Sequence, residues 1–366
     1  MRKRLVVQEL DSESTIIVDG PASVNLSRGE ASSLGAPLNS NVWSGLHRDQ
    51  RLTIETNSRC SIDIRLGKGG RSERIAGSTI PVGWKEASQL SLSAPGALVI
   101  LGDVDSGKST LSTYLANQLS RQGGSLSVID GDVGQADIGP PTTISIARLH
   151  DPVFDLQSLH PETSLFIGDT SPSIVSEKVL NGLARLRDIA IKDSNLVIVN
   201  TDGWVSGEEA FRYKKQLVES IRPNLVIGID VAGELGKLLD WPDCTVLRLG
   251  KSAFARTKSR EERKRAREFG YQRFLRGARP VNYSLHDLKL RRYDSYHQLM
   301  IHGRENLRGL IAGLLDENEL LQSVARVEGL RNDVLRLWTV PAGTPRTVEL
   351  GSVILSSKYT ELGYDV

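Results

Sequence analysis

From the start of the chain to about Pro81, apolar and polar residues alternate in short runs, at 14–18, 51–55 and 61–66, broken by clusters of Gly, Asn, Ser and Pro. A period of two with turn residues between the runs predicts an all-β region. The cluster Gly67-Lys-Gly-Gly70 reads as a turn between two of these strands and carries no chemistry. Beyond Trp84 the pattern changes to apolar runs at 97–101, 126–129, 165–167, 196–199, 225–229 and 245–249. Between them Val179, Leu180, Leu183, Leu186 and Ala190 recur at helical spacing, and Phe211, Leu217 and Ile221 fit a second amphipathic helix. Strands alternating with helices predict a mostly parallel, doubly wound sheet. From 284 to 366 the helical signal is confined to 306–315, and strand-like runs such as 334–340 return. The expected organisation is an N-terminal β-domain over 1–83, an α/β core over 84–283 and a small β-rich C-terminal domain over 284–366.

Composition narrows this picture only a little. At 366 residues, 39% of them hydrophobic, the chain can bury more than one core. Forty-six Lys and Arg against 44 Asp and Glu leave a net charge of +2, so anion binding must come from local clustering. Cys60 and Cys244 lie far apart and have no Cys or His companions at metal-ligand spacing. A zinc site or a disulfide framework is therefore not expected, and a reducing, cytoplasmic setting is. The basic start loses its apolar run after three positions, too soon for a signal peptide, and no stretch approaches the ~20 apolar residues of a membrane span.

The strongest chemical signal is Gly102-Asp-Val-Asp-Ser-Gly-Lys-Ser109, which fits G-x-x-x-x-G-K-[ST] between an apolar strand and a helical stretch running from Ser109. Such a P-loop curls so that its backbone N–H groups and the helix N-terminus face the phosphates of a nucleoside triphosphate. Lys108 then reaches the β- and γ-phosphates, and the Ser109 hydroxyl ligates Mg²⁺. The binding set is Gly102, Asp103, Val104, Asp105, Ser106, Gly107, Lys108, Ser109 and Thr110. The next apolar strand ends in Asp130-Gly-Asp132, two carboxylates placed to hold the metal's water shell or accept a proton. Metal candidates are thus Ser109, Asp130 and Asp132. Another strand ends Asn200-Thr-Asp-Gly-Trp204. There Thr201 is able to donate to a phosphate, and Trp204 either to stack on a base or to pack against the sheet. Hydroxyls at Thr170 and Ser171 precede a helical stretch, as helix caps or as substrate contacts. A basic segment over 256–279 holds ten basic against three acidic residues. Within it Arg263 and Arg267, four residues apart, share one helix face and are able to close over a triphosphate, while a solvated charged face is the plainer alternative.

With these elements in this order, the chain resembles the polynucleotide 5′-hydroxyl kinases, the family of the pre-mRNA cleavage-complex kinase subunit and the ribosomal-RNA-processing kinases. It is most similar to the compact archaeal polyribonucleotide kinases. The resemblance is specific over about 96–277. It rests on the P-loop, the form D-x-D-x-G-Q at 130–135, the T-x-G-W clasp at 201–204 and an R-x-x-x-R lid. It implies a P-loop NTPase core between two flanking β domains, ATP and Mg²⁺ as cofactors, and the 5′-hydroxyl end of single-stranded RNA or DNA as partner, with protein partners left open. It further implies that Asp132 positions or deprotonates the attacking hydroxyl, and that Thr201 and Trp204 grip the end of the nucleic acid; with Gln135, Thr170, Ser171 and Gly203 these make up the expected substrate contacts. The lid arginines would stabilise charge on the transferring phosphate. Arg256 and Arg260 also fit the lid spacing; Arg263 and Arg267 are preferred by counting back from Phe274-Leu-Arg-Gly277. Catalytic roles are thus expected of Lys108, Asp132, Arg263 and Arg267. The alternatives are an ATP-binding scaffold without activity and a P-loop assembly or metal-insertion factor. GTP use is disfavoured because neither 200–203 nor 228–231 supplies the lysine of a guanine-reading N-K-x-D motif.

Overall fold

The computed structural model describes residues 4–241, 244–293, 298–299 and 307–365. The alternating N-terminal runs form two antiparallel sheets. Strand Arg51–Thr56 buries every second residue, as a strand with one face on a core must. Leu10, Ile16, Val24, Leu52, Ile54, Ile62 and Ile64 fill the space between the two sheets.

Residues 96–249 form a seven-stranded sheet in the order Thr163–Phe166, Thr143–Arg148, Leu126–Gly131, Leu196–Thr201, Gly96–Gly102, Leu225–Ile229, Thr245–Leu249. The last five run parallel, whereas Thr143–Arg148 and Thr163–Phe166 add antiparallel strands at one edge. The central strand Gly96–Gly102 is an unbroken buried run because helices cover both of its faces. One face packs on helices α1 (Val82–Ser93) and α2 (Lys108–Ser120), the other on α3 (Ser176–Asp193) and α4 (Glu208–Ile221). Full burial of Leu98, Val99, Ile100 and Leu101 is worth about 1.5–3 kcal/mol each before the entropy of ordering them is subtracted. Helix α1 escaped the sequence pattern: only Trp84, Ala87 and Ser91 of it are buried, a stripe with too few apolar residues to register. Sequence position 83, expected to end the N-terminal domain, falls inside it.

The described residues from Arg279 onward form an eight-stranded, mostly antiparallel sheet that begins earlier than expected. Strand Arg279–Ser284 pairs with Val334–Thr339, so the expected boundary after 283 cuts through it. The helix expected over 306–315 is not there. Position 306 lies outside the described residues, and Leu310–Leu315 is a strand with all six residues buried between two neighbours. A short run that is apolar on every side fits a buried strand and a buried helix turn equally well, and pairing decides between them. Helix α5 (Arg260–Phe274) lies between the flanking units, and its Tyr271, with Leu275 just past its end, shares a cluster with Phe166, Ile311, Val324 and Leu355.

Candidate active site

Parallel pairing brings three strand ends to one edge of the central sheet. Asn200 lies opposite both Ile100 and Asp130, and Thr201 opposite Gly131. The P-loop curls over this edge. Its turn passes through Asp105 at φ 58° and Gly107 at φ 106°, the second a conformation only glycine adopts at little cost. Helix α2 starts directly after it, with no acidic residue in the first turn to compete with an anion for its free N–H groups. Lys108 is 6% exposed and donates to the carbonyls of Gly102 at 2.9 Å and Asp103 at 2.8 Å. Burial lowers the pKa of its ammonium, and Asp132 pulls it back up.

The two carboxylates after strand Leu126–Gly131 are held differently. Asp130 accepts from the amides of Asp137 (2.6 Å) and Ile138 (3.1 Å) on one oxygen and from Asn200 Nδ2 (3.1 Å) on the other. Asp132 accepts from the amides of Gly134 (3.0 Å) and Gln135 (2.9 Å) through Oδ1, and its Oδ2 has no partner among the described residues. Burial lifts the Asp132 carboxyl to a pKa of about 6 against the opposing pull of Lys108, with Asp202 adding to the rise. Asn200, to which sequence reasoning gave no role, also donates to Ser109 Oγ at 3.3 Å and so joins the P-loop serine to Asp130. At this site two of the buried polar atoms without a partner among the described residues are Ser106 Oγ in the loop and Asn200 Oδ1 beside it.

A cavity of about 280 Å³ opens at the P-loop. It is lined by residues 107–110, by Asp132 and Gln135, and on its far wall by Leu34, Arg51, Thr53 and Phe254. The N-terminal region thus supplies part of the wall of the candidate nucleotide site, a contribution invisible in the motifs. Gln135 also meets Lys258 Nζ at 3.5 Å.

The lid arginines part company. The Arg263 guanidinium contacts Asp105 of the P-loop at 3.2 Å and caps the Lys258 carbonyl at 2.6 Å. Arg267 instead makes a two-pronged pair with Glu361 of the C-terminal sheet, at 2.6 and 2.7 Å. Arg256 pairs with Glu262, and Arg260 is exposed. The helix start is set by a capping box between Ser259 and Glu262.

The other predicted contacts disperse. Thr201 is fully buried and donates to the Ile100 carbonyl at 2.8 Å, while the Trp204 indole stacks on Tyr213 at 5.4 Å. Gly203 lies so close to the P-loop that a Cβ would fall 2.6 Å from Val104 N. Thr170 shares a hydrogen bond with the Tyr364 hydroxyl at 2.8 Å, and Ser171 donates its amide to Asp169 at 2.7 Å.

A cavity on a glycine loop, at the carboxyl edge of a parallel sheet with a buried lysine and two carboxylates, defines a P-loop nucleoside-triphosphate-binding protein. Residues 102–277 match the family model described as mRNA cleavage and polyadenylation factor CLP1 P-loop, in line with the resemblance read from the motifs. The chain is 33% identical over 198 residues to a polyribonucleotide 5′-hydroxyl-kinase of Pyrococcus abyssi, covering 54% of this chain and 56% of that one. It is 34% identical to the polyribonucleotide 5′-hydroxyl-kinase of Pyrococcus horikoshii, covering 54% and 55%. The chain spans about half the length of the curated relatives it matches. A solved wild-type Clp1p–Pcf11p complex shares the fold, with a TM-score of 0.79 at 12% identity over 96% of this chain and 98% of the Clp1p-like one. Among the described residues no helix is long and apolar enough to cross a membrane.

Proposed function

We propose that this chain transfers the γ-phosphate of ATP to the 5′-hydroxyl end of a nucleic acid, with RNA as the preferred acceptor. One observation carries the reading: Lys108 and the unpaired Oδ2 side of Asp132 belong to the same cavity, a phosphate cation beside a carboxylate able to take a proton. The relatives' activity agrees with it.

In this scheme the 5′-oxygen forms a bond to the γ-phosphorus while the bond from that phosphorus to the β,γ-bridging oxygen breaks, leaving ADP. The hydroxyl proton passes to Asp132, whose pKa of about 6 keeps it ionised at neutral pH yet close enough to accept. Lys108 exchanges its two loop carbonyls for phosphate oxygens and neutralises the charge that moves to the leaving group. Arg263 is tethered to the P-loop through Asp105, while Arg256 and Lys258 line the cavity itself.

The donor set suits Mg²⁺, which prefers oxygen ligands and keeps several waters. Ser109 lines the cavity with a hard oxygen donor that would hold the ion, and Asp132 would reach it only through the ion's water shell, which keeps Oδ2 free for the proton; both oxygens of Asp130 are engaged, so Asp130 would steady Ser109 through Asn200. Bound there, the ion would offset charge on the β- and γ-phosphates.

The test is ADP production with a 5′-hydroxyl RNA, the same sequence as DNA, and both already 5′-phosphorylated. Stimulation by the hydroxyl ends and none by the phosphorylated ends supports the reading. Equal stimulation by all four, or by none, refutes it.

A further inference from the structure

The inner surface of the lid is not its helix. Ser252, Phe254, Ala255, Arg256 and Lys258 line the cavity at the P-loop, and among the described residues none of α5 joins them. The cavity-facing segment therefore stops just short of Arg260, where the helix begins. Its middle is tied to the N-terminal region, since the Phe254 carbonyl accepts from Arg51 Nη1 at 3.2 Å.

Its end is tied to the P-loop. The Lys258 amide donates to Asp105 Oδ2 at 2.9 Å, and Arg263 donates to the same oxygen at 3.2 Å and to the Lys258 carbonyl at 2.6 Å. The Asp105 side chain is only 7% exposed, so these charge-assisted bonds are shielded from water and hold residue 258 on both sides of its Cα. Arg263 is thus engaged with backbone and carboxylate, and what it holds in place is a second cation. Of the two cations that line the cavity from this segment, Arg256 is paired with Glu262. Lys258 pairs with no carboxylate among the described residues. Its Nζ meets the Gln135 side-chain oxygen at 3.5 Å, a long contact to a neutral group that an anion would displace. Gln135 in turn gives its amide to Asp132 Oδ1 at 2.9 Å. The ammonium therefore reaches from the P-loop side of the lid to the loop that carries the candidate base.

We propose that Lys258 is a catalytic residue whose ammonium leaves Gln135 for oxygens of the γ-phosphate, and that Arg263 is the positioning residue that holds its backbone over the P-loop. The bonds made and broken in the transfer are unchanged, and the hydroxyl proton still passes to Asp132. Lys258 keeps its own protons and offsets the charge spread over the oxygens of the transferring group. A compact charge on a flexible four-carbon stem is able to follow that group as it moves. This deepens the kinase reading above and rests on it for the acceptor, though not for the contact to ATP.

The test compares wild type with Lys258→Met, Lys258→Arg, Arg263→Ala and the double variant Lys258→Met with Arg263→Ala. Three quantities are read: affinity for ATP and for ADP by calorimetry, each with Mg²⁺, and turnover with a 5′-hydroxyl RNA at saturating ATP. Lys258→Met is expected to weaken ATP binding roughly tenfold, the scale of a lost bond to a charged group, with ADP affinity within about twofold of wild type. Its turnover should fall about 10²-fold or more, and Lys258→Arg should recover most of the ATP affinity. Because Arg263 acts through Lys258, adding Arg263→Ala to Lys258→Met should cost no more than about a further twofold. ATP affinity unchanged in Lys258→Met, ATP and ADP affinity falling together, or turnover within about threefold of wild type overturns the role of Lys258. Losses that multiply in the double variant overturn the role of Arg263. Wild-type protein that transfers nothing to the RNA refutes the kinase reading, while a selective loss of ATP over ADP affinity in Lys258→Met still upholds the contact to the γ-phosphate.

Discussion

The P-loop end of the site and its lid are built on opposite plans. At the P-loop end, eight consecutive residues and the tips of adjacent strands make the whole constellation, and nearly every bond is to backbone: Lys108 to two carbonyls, Asp130 and Asp132 to four amides. At the lid, α5 is steered almost wholly by side chains from elsewhere. Asp49 takes Arg265 at 3.3 Å and His47 packs on Phe269 at 4.2 Å from the N-terminal region, Asp105 holds Arg263, and Glu361 holds Arg267 from the C-terminal sheet. The lesson is a division of labour. Backbone bonds set a geometry that substitutions change little, whereas the lid's position is a balance among three units that single side chains are able to shift.

The contrast is sharpest at Lys108. Lys108→Ala is expected to lower transfer to a 5′-hydroxyl RNA by at least ~10³-fold, because the ammonium acts on charge that develops only in the transition state. Labelling within tenfold of wild type would remove this P-loop from the chemistry. Asp132→Asn keeps the amide contacts to Gly134 and Gln135 but cannot accept a proton, so a loss of roughly 10²-fold or more is expected with ATP affinity largely kept. If Asp130→Asn is instead the inactive variant, the roles of the two carboxylates are reversed.

On the lid, Arg263→Ala is expected to depress turnover by about 10²-fold while RNA affinity changes little. Arg267 separates two roles. Serving only as a clamp to the C-terminal sheet, Arg267→Ala and Glu361→Gln would cost similar stability, on the order of 2 kcal/mol for a largely buried two-pronged pair, and similar, small losses of turnover. If Arg267 swings to the phosphates when both substrates bind, Arg267→Ala loses far more turnover than Glu361→Gln does; this is the expected result. Arg256→Ala and Arg260→Ala, the other register, should stay within about threefold of wild type. Uniform losses of RNA affinity at all four arginines, with a flatter salt dependence, would make α5 a docking surface instead.

The same division explains what the sequence made legible. Gly102 to Ser109, Asp130 and Asp132 could be read directly because a P-loop is a local backbone object and its strand and helix are its immediate neighbours. The lid arginines could be named but not aimed: the partner of Arg267 is Glu361, 94 residues away and joined only by tertiary packing. Thr201 and Trp204 were legible as a motif, yet their present contacts are a strand carbonyl and Tyr213, and the buried Lys214 that pairs with Asp202 between them carries no motif at all. Leu310–Leu315 misled because a six-residue apolar run has no period to read.

The most direct measurement is the destination of the label. Wild-type protein is incubated with γ-labelled ATP and a 5′-hydroxyl RNA, and the RNA is then digested to mononucleotides. The account predicts that the label sits on the 5′-terminal nucleotide and nowhere else, and that it is absent when Lys108→Ala protein is used. Label found only as free phosphate, or spread through the RNA, would contradict it.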